Sequence, residues 1–215
     1  MWYDLTVAIA ENMPRIPFLP PVGVEKVRDR AKGDPLEVRA LHLATHIGTH
    51  LDAPSHRILG GTAIDAVPLE QTTGPAVVVK VAARPGEGFG PEVLEGLAEP
   101  VQPGDIVLFD TGFARYWETP TYHDNPYLTP ELAELLVARG VKMVGIDAIT
   151  VDMPTHRRPP DFDYPIHQIL LGNNVLILEN LTNLAPLAGR RVKLYAFPLK
   201  IAGGDAGLVR VVAEV

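Results

Sequence analysis

The residues best suited to chemistry lie in one short run, His46-Ile47-Gly48-Thr49-His50-Leu51-Asp52-Ala53-Pro54-Ser55-His56. It gathers three imidazoles and a carboxylate, the nitrogen and oxygen donors favoured by divalent cations such as zinc. Of the seven histidines in the chain, His42, His46, His50 and His56 fall in this neighbourhood. His50 and Asp52 are two apart, so on an extended chain they face the same way. His46 and His50 are four apart, about 13 Å on a straight strand, too far for both rings to reach one ion. The chain must bend between them, and Gly48 sits where backbone angles closed to other residues are needed. A helix would also align positions four apart, but β-branched Thr45, Ile47 and Thr49, the interior glycine and Pro54 oppose one. The expectation is a strand entering a tight loop, with a polar loop of purely structural histidines as the competing reading.

A second informative position is Glu179, which ends the apolar run Val175-Leu176-Ile177-Leu178 and shares a face with Val175 and Ile177. A carboxylate placed there loses its water and needs a positive partner. A metal ion is one such partner and an arginine is another.

The string His-x-Gly-Thr-His-x-Asp-x-Pro-x-His resembles the signature of the cyclase family of metal-dependent hydrolases, which includes kynurenine formamidases and isatin hydrolases. Other segments are similar to the family as well: Gly145 to Asp152, His167 and Glu179 twelve residues apart, and Phe197 to Asp205. The resemblance implies a single domain over residues 1–215 with a swivelling β/β/α fold, an α/β class with a β-rich mixed-sheet core. It implies two divalent ions, Zn²⁺ or Mn²⁺. Asp52 and Glu179 would bridge them, with His46 and His50 on one and His167 on the other. It implies that His56 passes protons while a water activated by the metal attacks a carbonyl. The activity implied is cleavage of a C–N bond in a small amide or lactam, by a homodimer or homotetramer. A metal-binding member of the fold without catalysis is the alternative.

Read by itself, His56 lies beyond Pro54 and off the ligand register, and a free imidazole titrates near neutrality. It suits proton transfer, although a third ligand of a one-ion site remains the other reading. His42 and His123 read as packing residues, and His156 as a lesser substitute for His167. In kynurenine formamidases the proline-rich loop before the signature carries a tryptophan in a Trp-Pro-Gly-Asp context. That context is absent, and Phe18 is the nearest aromatic for a substrate, or else a core residue.

The elements that must position these groups follow from pattern. Asp4–Ile9 alternates as a first strand, and residues 11–35, with five prolines, read as a long irregular loop. Strands are expected at Val38–Ile47, Ala76–Ala82, Asp105–Phe109, Val141–Asp147, Asn174–Glu179 and Leu208–Ala213. Helices are expected at Pro91–Ala98, at Pro130–Arg139 after the N-cap Thr129, and at Pro165–Gly172. Helices among successive strands imply a mixed α/β domain.

Composition narrows the partners. The net charge is −7 and no basic run exceeds Arg157-Arg158 or Arg190-Arg191, which argues against nucleic acid. No apolar stretch approaches a membrane span, and the opening residues carry no basic-then-apolar leader, so a cytoplasmic location is expected. With no cysteine, thiol nucleophiles and Cys-type zinc sites are excluded. A Ser-His-Asp hydrolase would want a Gly-x-Ser-x-Gly elbow, which is absent.

Overall fold

Short β-branched and aliphatic runs separated by proline and glycine favour a chain of brief strands. The computed structural model describes residues 1–215. In chain order its strands are β1 (Trp2–Asp4), β2 (Gly23–Arg28), β3 (Val38–His42), β4 (His50–Asp52), β5 (Thr73–Lys80), β6 (Gly88–Phe89), β7 (Ile106–Asp110), β8 (Tyr127–Leu128), β9 (Met143–Ile146), β10 (Leu176–Glu179), β11 (Arg191–Pro198) and β12 (Ala206–Glu214). Two α-helices, α1 (Pro130–Ala138) and α2 (Pro165–Gly172), complete the regular structure.

Strands β5, β7, β9 and β10 run parallel, side by side. β11 pairs antiparallel with β5, and β12 with β11. β4 is antiparallel to both β10 and β12, so seven strands close on themselves and β1 adds to β12 outside the ring. Closure satisfies the backbone groups that an open sheet would leave at its edges.

Alternation then sorts side chains into two dry layers. Ala76 and Val78 of β5, Ile106 and Leu108 of β7, and Leu176 and Leu178 of β10 meet Leu194, Val211 and Ala213 inside the barrel. Val77, Val79, Val107, Phe109 and Ile177 point outward, under Leu132 and Leu136 of α1 and Leu170 of α2. Burial on both faces is why the parallel strands read as continuous apolar runs. Gly145 of β9 faces inward, where a Cβ would come within 2.6 Å of Leu108 and 2.9 Å of Leu181. Its missing side chain lets those leucines close over the strand.

The α/β class and the expected α2 are as read from the sequence, and α1 ends one residue early. Gly140, at φ +70°, terminates α1. Several elements differ, and the barrel strand β11 (Arg191–Pro198) was not among those expected. The strand expected at 38–47 stops at His42 and pairs only with β2, because residues 43–49 turn to deliver the signature. The loop expected over 11–35 contains a strand, β2, which forms a two-stranded antiparallel ribbon with the following strand β3. The helix expected at 91–98 is a single 3₁₀ turn, Pro91–Leu94, since Gly96 at φ +67° interrupts it. The first strand ends at Asp4, and Thr6 only bridges to Leu181.

Candidate metal centre

The centre is built on the outer face of β4 and β10, where each strand meets the loops. In the β4–β10 register Asp52 lies opposite Ile177, Leu51 opposite Leu178 and His50 opposite Glu179. Leu51 and Leu178 point into the barrel, so alternation sends His50, Asp52 and Glu179 to the opposite side. All three are buried.

The bend demanded by the sequence is at Gly48, with φ +58°. Its carbonyl accepts from His50 Nδ1 at 2.8 Å and from Asn180 Nδ2 at 2.9 Å. This fixes the His50 ring so that Nε2 faces Asp52 at 3.4 Å and Glu179 at 3.5 Å. The turn also returns His46 to the site, with Nδ1 2.9 Å from Asp52 Oδ1 and Nε2 2.9 Å from Asp205 Oδ2.

His167 arrives from the first turn of α2. Asp152 accepts from the backbone N–H groups of Ile166 and His167 at 3.1 and 3.2 Å, and from His167 Nδ1 at 2.5 Å. One carboxylate thus closes the helix start and orients the ring, leaving Nε2 3.5 Å from Asp52 and 3.6 Å from Glu179. Glu179 Oε1 also accepts from Val151 N–H at 3.1 Å. The expected ligand set, His46, His50, Asp52, His167 and Glu179, is therefore gathered at one point.

At that point His50 Nε2 and Asp52 Oδ2 are buried with no hydrogen-bond partner, and Asp52 Oδ1, approached by His46 Nδ1 at 2.9 Å, has no well-formed hydrogen bond. Buried polar atoms are almost always satisfied. Orphaned nitrogen and oxygen donors converging among imidazoles and carboxylates match what a divalent cation requires. The arginine alternative for Glu179 is not realised, since its close partners are His50, His167 and the Val151 amide.

The charges pull against one another. Burial pushes the Asp52 carboxyl up, but the His46 and His50 imidazoles outweigh it and hold it well below the usual range. Burial and the Asp52 charge together raise Glu179 to about 7. Burial lowers His46, yet Asp52 and Asp205 bring it to about 9. Burial likewise lowers His167, and Asp152 and Asp52 bring it to about 10. His50, fully enclosed, falls to about 4.

His56 follows in a 3₁₀ turn, Pro54–His56, with its ring 3.9 Å from that of His46 and 5.6 Å from that of His167. Its Nδ1 is 3.4 Å from Asp205. Burial lowers its pKa and so favours the neutral imidazole. Phe18 is 75% exposed, hence not a core residue. It lines a cavity of about 280 Å³ together with His46, His56, His167, Glu179 and Asp205. His156 lies elsewhere, 3.2 Å from Asp124, and His42 is exposed.

Two acids were missed as site residues. Asp205, in the turn before β12, accepts from Thr45 Oγ1 at 2.9 Å and faces both His46 and His56. Asp152 ends the segment Ile149-Thr150-Val151, whose apolar character is the signal that a following carboxylate would be buried. Asp205 ends the family-like Phe197–Asp205 segment, but it sits among glycines, where nothing in hydrophobic pattern forecasts its contact with the histidines.

Such a fold and donor cluster define a metal-binding α/β protein. The Cyclase family model matches residues 3–153. A kynurenine formamidase of Salinibacter ruber is 38% identical over 179 residues, 80% of this chain and 77% of that protein. Isatin hydrolase A from Ralstonia solanacearum has a TM-score of 0.89 at 27% identity, covering 99% of this chain and 91% of that one. A potential metal-dependent hydrolase with cyclase activity has a TM-score of 0.80 at 26% identity, covering 99% and 96%. The chain belongs to the cyclase family. No helix is long and apolar enough to cross a membrane.

Proposed function

We propose that this chain is a metal-dependent amidohydrolase that cleaves the C–N bond of a small amide or lactam. The observation that carries the reading is the convergence of unsatisfied His50 Nε2 and the buried Asp52 carboxylate on His46, His167 and Glu179. The 38% identical kynurenine formamidase and the isatin hydrolase neighbour support an amide or lactam as substrate.

His46, His50, Asp52, His167 and Glu179 would hold two divalent cations, Zn²⁺ or Mn²⁺. Bound there, the cations would supply Lewis acidity and lower the pKa of a water towards neutrality. The protein's own contribution is proton management and positioning. His56 is neutral, half-buried and open to the cavity, so it accepts the proton of the attacking water and returns it to the leaving nitrogen. Asp205 orients it and the neighbouring His46 ring. Phe18 supplies an apolar wall to the substrate. A cytoplasmic homodimer or homotetramer belongs to the same proposal, on the family resemblance.

A second reading makes His56 a ligand, favoured by its grouping with Asp52 and His167 within 4.8 Å. Metal analysis of His56→Ala separates the two: retained metal with lost turnover assigns proton transfer, and lost metal assigns ligation. For the activity itself, chelator-stripped protein is assayed on formamides and lactams before and after Zn²⁺ or Mn²⁺ is restored. Undiminished turnover by stringently metal-free protein would refute the proposal.

A further inference from the structure

Arg158 also lines the cavity that holds the cluster. Its neighbour Arg157 is spent in a two-pronged pair with Asp124, at 2.6 and 2.8 Å. Arg158 differs. Its Nε donates to the Met153 carbonyl at 2.7 Å, and its terminal nitrogens make no hydrogen bond or ion pair within the chain. The guanidinium lies over a pair of rings that meet edge to face, with its carbon 5.0 Å from the centre of Phe162 and 4.7 Å from that of Tyr164.

That ring platform is costly to build. Tyr164 has φ +47°, a conformation that bulky residues rarely adopt, immediately before Pro165 and the start of α2. The twist sets its ring edge-on to His167, at 6.2 Å between centres. The preceding residue, Asp163, is tied to the loop of His56: Arg57 Nη2 donates to its carbonyl at 3.1 Å and pairs with its carboxylate. Arg158 is thus a fixed cation beside the cluster, with its hydrogen-bonding fork unused.

A planar fork of that kind matches a carboxylate and is pre-organised for it, whereas water satisfies it with no directional gain. The two rings present flat apolar surface next to the charge. We infer that Arg158 is a specificity-determining residue, binding a carboxylate on the substrate, so that the preferred substrates are small aromatic amides bearing an acid group. This rests on the amide hydrolysis proposed above and specifies its substrate class.

The test compares formanilide with the three ring isomers of formamidobenzoate, which add only a carboxylate, in wild type, Arg158→Gln and Arg158→Lys holoenzymes. Wild type should prefer at least one acid isomer. In Arg158→Gln that preference, as the ratio of kcat/KM values, should fall by about 10- to 100-fold, carried by KM. Arg158→Lys should recover part of it, because charge remains and the fork is lost. An unchanged ratio in Arg158→Gln, or a wild type with no preference, overturns the inference. So does relief of product inhibition with KM unaltered, which would mean that Arg158 meets only a carboxylate released by the reaction. Should wild type hydrolyse none of the four, aryl-formamide hydrolysis is what fails. Calorimetric binding of the formamidobenzoates then still decides the role of Arg158, with weaker binding to Arg158→Gln supporting it and equal binding overturning it.

Discussion

The two faces of β4 and β10 differ as sharply as any two regions of the molecule, although they alternate residue by residue. Leu51 and Leu178 face the barrel interior, and their neighbours His50, Asp52 and Glu179 face the cluster. Inside, every contact is apolar and none asks for a ligand. Outside, donors are buried beside one another with hydrogen-bonding capacity left over. The dry face supplies stability and holds the backbone register. The charged face uses that rigidity to keep groups together that would otherwise repel or seek water. The barrel is the scaffold, and the cluster is held by it.

Substitutions on one face should leave the other's property alone. The largest effect is expected from Asp52→Ala, which removes the acid facing His46, His50 and His167: metal content and turnover should both vanish, as read by elemental analysis and assay. Next comes His56→Ala, with turnover down by about 10²- to 10⁴-fold and metal retained, the size of a general-base contribution. Asp152→Asn keeps the shape but loses the carboxylate behind His167, and metal affinity measured by chelator competition should drop about 10- to 100-fold. Leu178→Ala on the opposite face should cost about 2–5 kcal/mol in denaturant unfolding while the folded fraction binds metal normally. If Leu178→Ala abolished metal binding in folded protein, the two faces would not be separable.

The smallest effect is on pH. In metal-free protein His46 and His167 keep their protons to about 9 and about 10. A cation needs both rings neutral, so loading releases protons and apparent affinity rises with pH between about 6 and 9. Titrations in buffers of different ionisation enthalpy count those protons, and affinity falling as pH rises would contradict the assignment.

The signature was legible because its residues are close in sequence and its geometry is local. Gly48 takes the positive φ that the spacing of His46 and His50 demanded. Glu179 stood out because an acid ending an apolar strand has nowhere wet to go. The Pro165–Gly172 helix was marked by its terminal residues. Less visible were β2, whose partner β3 begins ten residues after it ends, and the single turn at Pro91–Leu94, where proline suggested a helix that Gly96 cuts short.

Side-chain chemistry and short-range backbone preference, both written locally in the chain, were enough to mark the signature residues and Glu179 as candidate donors and to outline most of the buried parallel strands and both α-helices. Only tertiary structure decided that the sheet closes into a barrel, because closure rests on β4 pairing with both β10 and β12. The same closure brings Asp205, just before β12, to His46 across 159 residues of chain. No local pattern encodes such a meeting, because it is the burial of both strand faces, summed over the whole barrel, that fixes where distant segments touch.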